Sequence, residues 1–557
     1  MNFEKKTKWL VLGGATLLLL LIVGFPLLLI ILKSFIFEGE LSLQHYINAF
    51  VSKRNIVAFS NTLQVGIGTT IFSVILGSSL AWLVVRTDLP HKNIFRTLFI
   101  IPYMIPPFVG AIAWSLLLSP RNGYFNKFIQ LLPGINESIF NVNSMFGLIW
   151  VMTLYFFPFV FIITSGALER MDPTLEEVAY ASGAGTFKVM KDITLPLMAP
   201  SIMGGALLAF VASIANFGIP ALIGMPARLH VLTTMIYSHI YSGGFDGIKR
   251  SLSLSSVLMI TSISALLFNY FYLKKKAFTI IAGKSMRPNL VKLRKWKTPF
   301  FILAIFVVAI TVLAPSISIF ITSLLKGWGV DFSLQNLTLD NYIYVLFEYD
   351  LTQKAMKNSF FFAFSSATIA MILGSFIAYI IVNYDNKFSK FLEIISTIPY
   401  TIPGTVVAVA MILAWSGNYV LNLYNTFWII IVAYVARYIS FSVRTTSSSL
   451  KQIHHSLIDA SRISGANWLT TLKNIIIPLI KPGLIAGWFL IFMPTLRELT
   501  MSILLWGPKT VTIGVAVFEL QEAGYFQISA ALASLLLIVV LIGNFLVRLL
   551  SKGKLGI

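Results

Sequence analysis

Residues 176–200 read EEVAYASGAGTFKVMKDITLPLMAP, and residues 457–482 read LIDASRISGANWLTTLKNIIIPLIKP. Set Gly183 on Gly465 and the two align without a gap at an offset of 282. Glu177 then meets Asp459, Ala184 meets Ala466, Ile193 meets Ile475, Pro196 meets Pro478 and Pro200 meets Pro482. Both stretches are polar and mixed in charge, and both stand in an otherwise oily chain.

The 557 residues are 57% hydrophobic and 11% charged, with mean hydropathy +0.84. A soluble domain carries about 25% charged residues, so this is an integral membrane protein. The absence of cysteine excludes disulfides and thiolate metal sites. The net charge of +21 does not indicate nucleic acid. Its basic residues collect in short segments between apolar runs, as the positive-inside bias and attraction to anionic lipid require. The N-terminus, MNFEKKTKW followed by an apolar run to Leu32, is too long for a signal-peptide core and reads as a retained spanning helix.

A spanning helix needs about 20 mainly apolar residues. The expected spans are 9–32, 59–85, 97–118, 145–168, 200–223 and 251–273, then 299–324, 358–383, 392–415, 427–449, 482–506 and 528–550. Basic residues before the first span, between the second and third, across 274–297 and after the last all fall on one side. That side is therefore expected to be cytoplasmic, with both termini inside.

The repeat is wider than the opening motif. Residues 61–107 align with 358–404 at an offset of 297, with ILGS on ILGS and IPYMIP on IPYTIP. Each half holds an even number of spans, so the halves are parallel, with a pathway expected between them. The expected architecture is all-α, about twelve transmembrane helices in two parallel six-helix repeats. The first half is 1–273, the basic cytoplasmic linker is 274–298, and the second half is 299–557.

Each copy of the motif, about 172–200 and 454–482, follows the fourth span of its half. Asp172 with Pro173 signals a helix start, Glu176 and Glu177 favour the first turn, and Gly183 permits a sharp turn. The reading is a short helix, a turn and a second short helix, projecting to meet a partner's groove. Two copies suit two identical partners. No G-x-x-x-x-G-K-[ST] phosphate loop occurs, so any ATP hydrolysis belongs to another subunit.

The spacing E-x-A-x-x-x-G, followed ten residues later by I-x-L-P, resembles the EAA loop of bacterial ABC importer permeases. The matching residues are Glu177, Ala179, Gly183, Ile193, Leu195 and Pro196 in the first half. In the second they are Asp459, Ala460, Gly465, Ile475, Ile477 and Pro478, with Asp459 and Ile477 where the family has Glu and Leu. NFGIPALIG at 216–224 and LRELTMSILLWGP at 496–508 resemble segments of iron(III)-type fused permeases. The resemblance implies a type I ABC importer permease fold in a bacterial cell membrane, inner or plasma. It implies two ABC ATPase subunits carrying ATP and Mg, an extracytoplasmic binding protein, and no catalytic site or bound cofactor in this chain. Iron(III) is the implied substrate, with 2-aminoethylphosphonate, thiamine or polyamine as alternatives.

Charges inside a span need partners or water. Arg437 falls in the tenth span and Arg497 and Glu498 in the eleventh, with Asn216 equivalent to Glu498 at the 282 offset. An Arg437–Glu498 pair gating the pathway is one expectation, and structural glue between helices is the other. The prolines of IPYMIP and IPYTIP are read as static kinks in preference to hinges. An ion-coupled secondary transporter is the competing class. It would need more intramembrane acids and has no use for docking motifs. A membrane enzyme would need a catalytic constellation that the sequence lacks. No histidine or carboxylate cluster has metal-ligand spacing.

Overall fold

The structure is a computed structural model that describes residues 2–275, 290–330, 333–384, 386–417 and 421–550. Lys276, Lys284 and Arg287 of the basic linker lie outside the described residues. Apart from a small hairpin pairing Ile36–Phe37 with Glu40–Leu41, the described elements are helices.

In the first half the main ones are α1 (Trp9–Ser34), α2 (Lys53–Arg86), α3 (Lys92–Met104), α4 (Pro107–Leu118), α5 (Met145–Arg170), α6 (Thr174–Ala181), α7 (Thr186–Ala215) and α8 (Leu232–Lys275), which is broken at Gly244 (φ 52°). The second half repeats them. It has α9 (Arg294–Leu324), α10 (Asp350–Asn383), α11 (Lys387–Thr401), α12 (Gly404–Trp415), α13 (Phe427–Leu450), α14 (His455–Ile463), α15 (Trp468–Leu496), α16 (Ile513–Glu522) and α17 (Phe526–Leu550). Ten helices among the described residues are long and apolar enough to cross a membrane. On α2 the apolar Ile67, Ile71 and Ile75 fall four residues apart and are each more than half exposed. Such a stripe suits lipid, since water would leave it unpartnered.

The expected third and ninth spans are each broken into two helices, a sharper bend than the kink expected within one continuous helix. Helices α3 and α4 meet at 97°, and α11 and α12 at 114°. The residue before a proline is pushed towards extended backbone. Ile105, before Pro106, has ψ 132°, and Ile402, before Pro403, has ψ 136°. The chain therefore turns at both copies of the motif.

The fifth and eleventh spans also depart from expectation. They begin at Thr186 and Trp468, well before 200 and 482, because the second motif helix runs straight into the membrane. The wide turns Met190–Thr194 and Leu472–Ile476 occupy matching positions and end two residues before Pro196 and Pro478. The turns Leu20–Gly24 and Ala309–Leu313 stand likewise before Pro26 and Pro315. A proline lacks an N–H and crowds the carbonyl one turn back, and a wider turn accommodates both defects without breaking the helix.

The repeated ILGS marks where the helices of each half close up. A Cβ on Gly77 would stand 2.8 Å from the Phe157 carbonyl of α5, and one on Gly374 would meet Ser442 of α13 at 2.4 Å. Small residues permit this approach.

The halves exchange their leading spans. Helix α1 packs on α10 and α12, with Phe25 against Trp415 at 6.1 Å. Helix α9 reaches α4, where the Ser318 hydroxyl donates to the Ala113 carbonyl at 3.4 Å. Tyr124 and Thr322 share a hydrogen bond of 2.7 Å beside this crossing. The far end of the linker is docked, not a free tether. The Val291 N–H donates to the Arg86 carbonyl at 2.9 Å and the Leu293 N–H to the Asp88 carboxylate at 2.9 Å.

Candidate translocation chamber and coupling loops

Four interruptions converge between the halves: the two broken spans, the end of α7 at Asn216, and the end of α15 at Arg497. They enclose a cavity of about 190 Å3. Asn216, Arg437, Arg497 and Glu498 all line it, so the structure brings together the four intramembrane polar residues singled out in the sequence.

Arg437 and Glu498 share this wall but do not form the ion pair that was one of the two expectations. The Arg437 Nη1 donates to the Ile402 carbonyl, freed by the break between α11 and α12, at 3.1 Å. Glu498 turns instead to the short helical turn Ser502–Leu505. Its Oε1 accepts from the Met501 N–H at 2.9 Å, and its Oε2 from the Ser502 N–H at 3.1 Å and the Ser502 hydroxyl at 3.0 Å. The first N–H groups of a helix have no internal partner, and an acceptor side chain just ahead satisfies them. Asn216 does the same in the first half, its Oδ1 accepting from the Ile219 N–H at 2.9 Å. The two residues are matched caps, each turned to backbone N–H groups of its own half.

Arg497 crosses between the halves. Its Nη1 donates to the Tyr103 carbonyl at 2.9 Å and also to the Met104 carbonyl, at the end of α3. Its guanidinium lies 5.4 Å from the Tyr103 ring centre. The sequence reading missed the phenols of this wall: Tyr103, Tyr155, Tyr400 and Tyr438. The signal was there for two of them, since Tyr103 and Tyr400 are the shared tyrosines of IPYMIP and IPYTIP. Towards the end of the bundle remote from the doubled motif, Phe217, Tyr237 and Phe518 bury their rings together across the halves. Their centroids lie 5.1 to 6.2 Å apart, a packed aromatic cluster between the halves.

At the other end, the two motif copies share one backbone. Gly183 and Gly465 have φ of +81° and +79°, where side chains are strained. The Asp172 carboxylate accepts from the Thr174 N–H at 2.9 Å, and the His454 ring, at the matching position, accepts from the Ser456 N–H at 3.4 Å. The Thr174 N–H and hydroxyl hold the Asp172 carboxyl below the usual range. Glu177 is half-buried, while Asp459, Ala460, Gly183 and Gly465 are exposed. At the constant offset the counterpart of Ala179 is Ser461, which is buried, and Ala460 is level with the exposed Val178. The second-half alanine therefore lies on the outer side of its helix, a correction to its match with Ala179.

What fixes each loop to the spans was not foreseen. Glu176 is buried, accepts from the Thr194 hydroxyl at 2.6 Å, and faces Arg86 Nε at 3.6 Å. Arg86 closes α2 and is 1% exposed. In the second loop Ser461 bonds Thr471 at 2.9 Å, and Trp468 Nε1 donates to the Tyr379 hydroxyl of α10 at 3.1 Å.

The sequence model of one family, described as binding-protein-dependent transport system inner membrane component, matches residues 73–318 and again 370–555. This chain belongs to that family. It is a fused double permease of the ABC importer type, a transport subunit that crosses the membrane many times. The permease is 28% identical over 540 residues to the ferric transport system permease protein FbpB of Actinobacillus pleuropneumoniae, covering 95% of this chain and 76% of that one. It is 26% identical over 541 residues to the Fe(3+)-transport system permease protein FbpB 2 of Haemophilus influenzae, covering 96% and 97%. It is 31% identical over 206 residues to the molybdenum transport system permease protein ModB of Escherichia coli, covering 36% of this permease and 87% of that protein. That match takes in little more than a third of the double chain.

Proposed function

We propose that this permease carries ferric iron inward, receiving it from an extracytoplasmic binding protein at the end where Phe217, Tyr237 and Phe518 pack together. The observation that carries the substrate is the alignment, across nearly the whole permease, with two proteins named for ferric transport. Two ABC ATPase subunits dock on α6 and α14 and hold the ATP and Mg. The loops bearing Glu177, Ala179 and Gly183, and Asp459, Ala460 and Gly465, pass nucleotide-driven closure to α7 and α15. The continuous run from each motif into a span supports this reading, since a rigid helix transmits a push that a hinge would absorb. Both termini and the loops face the cytoplasm in this scheme, in keeping with the basic residues of that side.

The test begins with mass spectrometry of what co-purifies with the gently solubilised permease, alone and with Gly183→Val and Gly465→Val together. An ATPase captured by the first and lost from the second is the expected result. ATP-dependent uptake of labelled iron in vesicles carrying the captured subunits then tests the substrate. Uptake driven by an ion gradient without any ATPase would favour the ion-coupled class instead.

A further inference from the structure

The chamber that would pass ferric iron has the wrong charge for a bare ferric ion. Its ionisable acids and bases, phenols aside, are Arg437, Arg497 and Glu498. The carboxylate is not free to ligate, because both oxygens are turned to the Met501 and Ser502 N–H groups and the Ser502 hydroxyl. Two guanidiniums remain, each held in place by a broken-helix carbonyl through Nη1. A guanidinium has five N–H donors and accepts nothing, so it cannot ligate a metal. Its fork matches carboxylate and phosphate oxygens. The start of α4 at Pro107 and Phe108 also lines the cavity and adds the positive end of a helix.

Two buried polar groups of this wall lack partners. They are Arg437 Nε and the Tyr155 hydroxyl. At the repeat offset of 282 these residues are counterparts, so each half carries an unpaired donor at the matching chain position, the Tyr155 hydroxyl lying beside Gly110 of α4. Buried donors left unpaired are costly and call for an acceptor. The cavity of about 190 Å3 has room for such a guest, on the order of six waters at ~30 Å3 each.

Resting on the ferric reading above, we infer that iron crosses this chamber still bound to an oxyanion, with anionic phosphate or carboxylate oxygens outward and no net positive charge. Arg437 and Arg497 bind the oxygens and Tyr155 donates to them. The metal stays inside its own ligands. A bare trivalent ion would meet two fixed cations, no free carboxylate, and four phenols, Tyr103, Tyr155, Tyr400 and Tyr438, that would first have to give up their protons to ligate it.

The experiment reconstitutes the permease with its captured ATPase and binding protein in proteoliposomes. Doubly labelled ferric phosphate, doubly labelled ferric citrate and labelled 2-aminoethylphosphonate are supplied separately, and each label is counted inside. ATPase activity stimulated by the loaded binding protein shows that the complex is assembled. The expected result is entry of iron and oxyanion in a fixed ratio. Arg497→Gln and Arg437→Gln should each lower both labels at least tenfold, with Arg→Lys retaining more than Gln. Iron entering without either oxyanion overturns the inference and leaves the ferric reading standing. An oxyanion entering without iron overturns the ferric reading and keeps the anionic chamber. Entry of no label in a complex whose ATPase is stimulated overturns both.

Discussion

The two copies of the doubled loop have the same backbone and opposite glue. Each has a short helix, a glycine of φ near +80°, a wide turn and a proline entering the span. Yet the first is fastened by a buried ion pair, Arg86 with Glu176, where the second has Asn383 and Ile458. The second is fastened by an indole–phenol bond, Trp468 with Tyr379, where the first has Thr186 and Trp82. The turn depends on local chemistry that tolerates few residues. The fastening depends only on some complementary pair being present, so it diverged between the halves without changing the shape.

The largest expected effect comes from breaking the charged fastening. Removing one member of a buried pair strands the other, so Arg86→Ala should destabilise the permease by about 3–5 kcal/mol in detergent unfolding. Asn383→Ala, at the matching place, should cost under about 1 kcal/mol. Combining Arg86→Met with Glu176→Ile should recover much of the loss, since a packed apolar pair leaves no buried charge unpaired. Equal costs for Arg86→Ala and Asn383→Ala would end the comparison.

Next in size are the shared turns. Gly183→Ala and Gly465→Ala should each cost about 1–2 kcal/mol, because left-handed backbone penalises a Cβ whatever the space around it. Nothing stands within 4 Å of the added Cβ in either loop, so the two values should agree. Thermal unfolding and ATPase capture by each single variant would check this, and a clear inequality would mean that the backbones are not equivalent.

The indole bond comes third. Trp468→Phe keeps a ring and loses the donor, for about 0.5–1.5 kcal/mol. Tyr379→Phe on that background should add little, and a double-mutant cycle that proves additive would remove this bond from the account.

The smallest effect concerns the docked linker. The Leu293 N–H first, and Lys297 next, hold the Asp88 carboxyl below its usual range. Its folded value is lowered, so its contribution is complete above about pH 3.9, the ordinary value. It is lost as pH falls through the lowered value. Hydrogen exchange at the Leu293 amide should therefore be faster in Asp88→Asn than in the parent near neutral pH. The two should converge in acid, and a difference that persisted there would point to a cause other than this carboxylate.

Much of this molecule was legible in sequence because the signals were local. Apolar runs marked the spans, a constant offset exposed the repeat, and polar residues in a run of apolar ones marked Arg437, Arg497 and Glu498. What each of them does was not legible. Glu498 looked like half of an ion pair because a buried carboxylate needs a partner, and the sequence offered an arginine as readily as backbone. Arg86 passed for a loop residue setting orientation, although α2 carries it into the protein interior.

The sequence by itself determined the membrane class, the parallel duplication, and the doubled polar motif with its glycine turns, because each is written within a few dozen neighbouring residues. Only the tertiary structure decided that α1 and α9 cross to the opposite halves and that Pro106 and Pro403 mark breaks in the third and ninth spans. It also decided that a chamber forms where those breaks meet. The bond from Arg497 to the Tyr103 carbonyl joins residues 394 apart in the chain. No periodicity or spacing can encode that, because it depends on how two whole halves pack.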